Sequence, residues 1–191
     1  MIPQTIQSVR WLPETHYLYG QLPVELAGWL RDKASLTDRI RSCCTGAFSV
    51  QVLEQGWACP RLHESRVLTT KHGERALVRQ VHLLCDDQPW VFARTVIPVR
   101  TLEGPQRQLG CIGNKPLGAY LFSDPSMKRG PVEIAQHFPG NPDYEMAASV
   151  LKNKPSSLWG RRSVFRVGKK PLLVSELFLS VPSVGASRYF S

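Results

Sequence analysis

The sequence has no apolar run approaching the roughly 20 residues that a membrane-crossing helix needs. Its longest apolar stretches, such as Leu172–Val174 with Leu177–Leu179, are broken by Ser175 and Glu176. The first residues, MIPQTIQSVRWLPETHYLYG, lack an apolar core behind a basic start, so no secretory signal and no membrane insertion are expected. Acidic residues are scarce: 15 Asp and Glu stand against 24 Lys and Arg, a formal charge of +9 over 191 residues. No CxxC pair occurs among Cys43, Cys44, Cys59, Cys85 and Cys111, an odd set with two adjacent members. That spacing supports neither a disulfide framework nor a zinc site; reduced, structural thiols in a cytoplasmic protein are the expectation. The histidines, His16, His63, His72, His82 and His137, show no HExxH or HxH spacing, so no metal is expected.

What remains is a globular composition, 42% hydrophobic and 20% charged, which argues against wholesale disorder. The length suits a single domain spanning 1–191, large enough to build a core without staples. Val24, Leu26, Trp29, Leu30, Leu36 and Ile40 recur at helical intervals after Pro23, predicting a helix from about 23 to 33 and then a break or a continuation. Phe48–Trp57 alternates as a strand. Leu77–Cys85 and Trp90–Ile97 form a predicted hairpin across Asp86-Asp87-Gln88-Pro89, and Ser163–Val167 with Leu172–Leu179 a second across Gly168-Lys169-Lys170-Pro171. A short helix is expected near Leu117–Leu121. The class is α+β, an antiparallel sheet with helices packed on it.

Charge is placed unevenly. Between Lys152 and Lys170 there are seven Lys and Arg and no acid. Such a run is read as a solvated face, a steering field for an anionic ligand, or a contact with anionic lipid or nucleic acid. Few aromatics accompany it and no RNA-binding signature appears, so no nucleic-acid partner is expected. Elsewhere, single charges interrupt apolar rows. Residues i, i+2 and i+4 of a strand share a face. Arg79 is then the lone charge beside Leu77, Val81, Leu83 and Cys85; Arg94 beside Trp90, Phe92 and Val96; Glu176 beside Leu172, Val174 and Phe178. Taking a charge out of water costs several kcal/mol unless it is paired. Two readings follow: a structural Arg–Glu ion pair, or a closed anion pocket with two arginines facing a carboxylate. In the second, the planar fork of arginine suits a carboxylate ligand, and Glu176 suits a hydroxyl or a moving proton.

Four blocks in order, WVFARTVIPV (90–99), KPLGAYLF (115–122), LWGRRS (158–163) and KPLLVSELFL (170–179), resemble bacterial chorismate pyruvate-lyase, with a match from about Leu26 to Pro182. The resemblance implies an antiparallel sheet of about six strands, flanking helices, and two flaps over a closed pocket. It implies a cytoplasmic monomer with no metal or cofactor that converts chorismate to 4-hydroxybenzoate and pyruvate, the first committed step of ubiquinone biosynthesis. By motif, Arg79 matches the residue binding the ring carboxylate, Glu176 the residue at the ligand hydroxyl, and Arg94 a second arginine linked to activity. Leu36, where methionine is expected, and Leu117 match flap positions whose backbone N–H groups meet the ligand. Catalytic roles therefore fall to Glu176, Arg79 and Arg94. The proton route, through Glu176 or directly to the enol methylene, stays open. The chain departs from the pattern at residues 135–157, read as a surface insertion with a helix over Tyr144–Leu151. The alternative function is a non-catalytic, effector-sensing module of the same fold, as in bacterial transcription regulators. The roughly 20 residues ahead of the first helix are too few for a helix-turn-helix.

Overall fold

The computed structural model describes residues 9–182 apart from 19 and 72, so His72 and both ends of the 1–191 unit lie outside the described residues. Eight strands form one sheet: β1 (Leu12–Pro13), β2 (Phe48–Ala58), β3 (Ala76–Cys85), β4 (Gln88–Pro98), β5 (Met127–Arg129), β6 (Glu133–His137), β7 (Leu158–Val167) and β8 (Lys170–Phe178). Their order is β1-β6-β7-β8-β4-β3-β2, with β5 also paired to β7, and every pairing is antiparallel. The count exceeds the expected six because β1 and β5 are pieces of two and three residues, too short to show alternation. Five α-helices accompany the sheet among the described residues: α1 (Val24–Arg31), α2 (Leu36–Cys43), α3 (Leu62–Leu68), α4 (Leu117–Ser123) and α5 (Pro142–Ala148).

Both hairpins close more tightly than expected. Asp86 and Asp87 take φ of 46° and 60°, a two-residue turn whose twist matches the strands, and Gln88 and Pro89 belong to β4. Asp tolerates this conformation because its short side chain bonds locally; here Asp86 accepts from the Ala47 N–H at 2.8 Å. Gly46 leaves room for this contact, since a Cβ there would lie 1.8 Å from the Asp86 carboxylate and displace it. Docking of this turn against the 44–47 loop brings Cys44 and Cys85 to a Cα separation of 5.7 Å, and they are disulfide-bonded. The expectation of reduced, buried thiols is thus corrected. The bridge spans 41 residues of sequence and is made by a tertiary contact, and Cys43, Cys59 and Cys111 are exposed.

The two sheet faces are filled differently. One packs Val81, Leu83, Val91 and Phe178 under Trp29, Leu30, Leu36 and Ile40 of α1 and α2, and Leu77, Ile97 and Val174 under Leu117 and Leu121 of α4. The reverse face packs Val78, Val96 and Leu173 under Leu68 of α3, and Phe92 and Leu177 under Tyr144, Ala147 and Ala148 of α5. Residues 135–157 therefore do more than loop over the surface: they complete β6 and supply α5, over Pro142–Ala148 rather than 144–151, with its inner side in the core.

The reverse face also carries a buried ionic layer. Arg94 is 6% exposed and Glu64 of α3 is 1% exposed, and they form a two-pronged pair at 2.8 and 3.1 Å. Glu64 further accepts from the Arg61 N–H at 2.8 Å, tying the start of α3. Replacing Glu64 by Ala leaves the Arg94 charge buried without its partner, so urea unfolding of E64A is expected to show a loss of about 3–5 kcal/mol. A loss below about 1 kcal/mol would contradict the packing described, since only an exposed ion pair is worth so little.

Candidate active site

Antiparallel register sets which side chains meet on the α2/α4 side of the sheet. Arg79 on β3 lies opposite Thr95 on β4, which lies opposite Val174 on β8. The adjacent row runs from Val81 through Ala93 and Glu176 to Arg161 on β7. Arg79 and Glu176 thus stand two strands and one pleat repeat apart, about 12 Å between Cα atoms at ordinary sheet spacings. These residues line a cavity roofed by α2 and α4. The roof closes because Gly118 lets the helices touch: a Cβ there would sit 2.9 Å from the Thr37 hydroxyl.

Arg79 is 2% exposed. One of its terminal nitrogens, Nη2, donates to the carbonyls of Gly113 at 2.8 Å and Lys115 at 3.3 Å, which holds the loop leading into α4. Its Nε is buried and has no hydrogen-bond partner. Burial lowers the pKa of its guanidinium from the usual arginine value, so an arriving anion meets a poorly solvated, directional donor. Across the cavity, Glu176 accepts from Arg161 Nε at 2.6 Å. Arg161 is 1% exposed, and its Nη1 donates to the carbonyls of Trp29 and Asp32 at 2.7 and 2.6 Å. One guanidinium therefore orients the carboxylate and anchors the α1–α2 connection together.

Leu36 and Leu117 both line the cavity, and each is the first residue of its helix, after Ser35 and Pro116. Backbone N–H groups at that position have no acceptor within the helix, so both are available to a ligand. Ser35 stabilises the α2 start by accepting from the Asp38 N–H at 3.3 Å.

Four of the five expected residues, Arg79, Glu176, Leu36 and Leu117, thus meet at one cavity. Arg94 does not. Gln80 is its β3 partner, and the cavity-facing residues of β4 are Ala93 and Thr95. Alternation within each strand was correct, but it cannot say which alternate set of β4 shares a face with Arg79; only the register does. In place of Arg94 the structure supplies Arg161 and Arg129. Arg161 fell outside the expected strand because β7 begins at Leu158, five residues before Ser163. Its signal was present as Arg161, Ser163 and Phe165 in strict alternation. Arg129 sits on the three-residue β5 and carried no such signal. Its Nε donates to Ser163 Oγ at 3.0 Å, and its guanidinium lies over the Phe165 ring at 5.1 Å.

The seven-cation run is consequently not one solvated face. Arg161 and Arg162 within it are buried and paired to Glu176 and Glu133 at 2.6 and 2.7 Å. Among the described residues no cluster of three or more His, Cys, Asp or Glu side chains could hold a metal ion, and no helix is long and apolar enough to cross a membrane. Among the described residues the cavity pairs three arginines, Arg79, Arg129 and Arg161, with a single acid, Glu176, an arrangement suited to a small anion bearing both a carboxylate and a hydroxyl.

Comparison with known proteins identifies the family. The chorismate lyase family model matches residues 5–186. A protein of Azoarcus sp. strain BH72 named "Probable chorismate pyruvate-lyase" is 46% identical over 158 residues, covering 81% of this chain and 83% of its own length. One of the same name from Nitrosomonas europaea is 38% identical, covering 82% and 88%. Among solved structures, PhnF from Mycobacterium smegmatis superposes with a TM-score of 0.57 at 12% identity, covering 80% of this chain and 67% of that one. The C-terminal domain of the histidine utilization repressor from Pseudomonas syringae pv. tomato gives 0.53 at 9% identity, covering 76% and 100%. These two structures share the fold alone, whereas the family model spans all of the cavity-lining residues, and the chain belongs to the chorismate lyase family.

Proposed function

We propose that this chain is a chorismate pyruvate-lyase that converts chorismate into 4-hydroxybenzoate and pyruvate. The observation that carries the reading is that Arg79, whose buried Nε has no partner, and Glu176 line one and the same cavity. A carboxylate on Arg79 satisfies that orphan donor, and a para hydroxyl on the same ring reaches Glu176. The first N–H groups of α2 and α4 supply further donors to the ligand's oxygens.

In the reaction the ether bond at C3 of the ring breaks and its electron pair leaves with the enolpyruvyl oxygen. The C4–H bond supplies the pair that makes the ring aromatic, and the proton ends on the methylene carbon, giving pyruvate. Aromatisation provides the driving force, so the protein's task is orientation and charge placement rather than nucleophilic attack. Glu176, held by Arg161, fixes the hydroxyl-bearing carbon and is the one cavity carboxylate able to relay the C4 proton; direct transfer within the substrate is the other route. No step is routed through Arg94, which supports the sheet from behind through Glu64. In this reading the enzyme works as a cytoplasmic monomer without metal, cofactor or nucleic acid, and its product enters ubiquinone assembly.

A regulator-like module would bind the same ring without consuming substrate. Mixing the purified protein with chorismate is expected to yield pyruvate and 4-hydroxybenzoate in equal amounts; binding of 4-hydroxybenzoate without pyruvate release would establish the sensor instead. R79A and E176A each remove a charge-assisted contact worth about 1.5–3 kcal/mol, so kcat/KM should fall at least about tenfold. Wild-type turnover in either variant would remove that residue from the site.

A further inference from the structure

We propose that Arg129 binds the second carboxylate of chorismate, the one that departs with pyruvate, and so distinguishes substrate from product. The inference rests on the lyase reading above and goes further by assigning the enolpyruvyl subsite.

Its basis is the order of groups across the sheet. Glu176 on β8 has Arg79 two strands away in one direction, through β4 to β3, and Arg129 two strands away in the other, through β7 to β5. In chorismate the ether is carried by the carbon next to the hydroxyl-bearing one. With the ring carboxylate on Arg79 and the hydroxyl at Glu176, the enolpyruvyl arm emerges at the Glu176 end, remote from Arg79. Two lining cations reach that end: β5 pairs Arg129 with Phe165, four residues along β7 from Arg161, but its guanidinium and that of Arg161 donate to the same Asp32 carbonyl. Arg161 is committed, with short bonds to Glu176 and to two backbone carbonyls.

Arg129 is not committed. It forms no salt bridge with any described acid, and its Nη1 bonds to the carbonyls of Asp32 and Ala34 are long, at 3.3 and 3.4 Å. Its Nη2 donates to none of the described residues, which leaves one edge of the fork for a carboxylate. Burial, and then the like charge of Arg161, lower the pKa of its guanidinium, so an incoming anion relieves both penalties. The charge count agrees: three guanidiniums and one carboxylate match a dianion, and without Arg129 the excess would match only the singly charged product.

The test compares two non-reacting ligands, 4-hydroxybenzoate and its 3-carboxymethoxy derivative, a dianion whose second carboxylate mimics the enolpyruvyl arm. Calorimetric titration of R129Q is expected to show dianion affinity at least about tenfold below wild type, with 4-hydroxybenzoate within about threefold, while kcat/KM for chorismate falls with the dianion. R129K, which keeps the charge but not the fork, should lie between. Equal losses for both ligands would reduce Arg129 to a tether of the α1–α2 connection and overturn the proposal, as would an unchanged dianion affinity. Wild-type pyruvate release separates the two claims. A lyase whose R129Q variant keeps full dianion binding loses only this assignment, whereas a wild-type protein that releases no pyruvate loses both.

Discussion

A carboxylate in the dry face of a sheet is stable only while a cation holds it, and the Arg161–Glu176 pair meets that condition between neighbouring strands at 2.6 Å. The same guanidinium reaches the Trp29 and Asp32 carbonyls, so the ion pair that positions the cavity's carboxylate also fastens one half of the roof. Arg79 does the corresponding work on the other side, where its grip on Gly113 and Lys115 anchors the second half. Cavity chemistry and cavity closure thus depend on the same two side chains. A site arranged this way encloses its ligand in low dielectric, where each charge-assisted contact counts for more than it would in water.

The sheet divides its labour by face. On one side, three arginines and Glu176 surround a space. On the other, Arg94–Glu64, Arg61–Asp143 and Arg162–Glu133 are closed ion pairs beneath α3 and beside α5. Both sides hold buried arginines, and a sequence pattern does not separate them. What separates them is satisfaction: Arg94 has both prongs on one carboxylate, whereas Arg79 keeps an unpartnered Nε. The fold itself is neutral on function, since a repressor domain adopts it at 9% identity, and only the side chains on the cavity face carry a chemical statement.

Much of this was readable from the chain. Strand alternation around Arg79 and Glu176 marked both as charges in apolar rows, and the long hairpins were visible because β3, β4 and β8 are mostly apolar runs set off by short turn segments. Three features were not. Arg94 was misplaced because alternation defines two faces per strand without saying how neighbouring strands align. The Cys44–Cys85 bridge was missed because it depends on a turn docking against a loop 41 residues earlier in sequence. Arg129 was missed because a three-residue edge strand has no period to detect. Each failure concerns pairing between segments, register for Arg94, a tertiary contact for the bridge and a short edge strand for Arg129, which the period of a single strand does not encode.

The central claim is that Arg79 and Glu176 hold opposite ends of one ring inside this cavity. A crystal structure of the protein with 4-hydroxybenzoate tests it most directly. The account predicts the carboxylate within hydrogen-bond distance of Arg79 Nε, about 2.7–3.0 Å, and the hydroxyl against Glu176. A ligand bound elsewhere, or turned with its carboxylate toward Glu176, would contradict it.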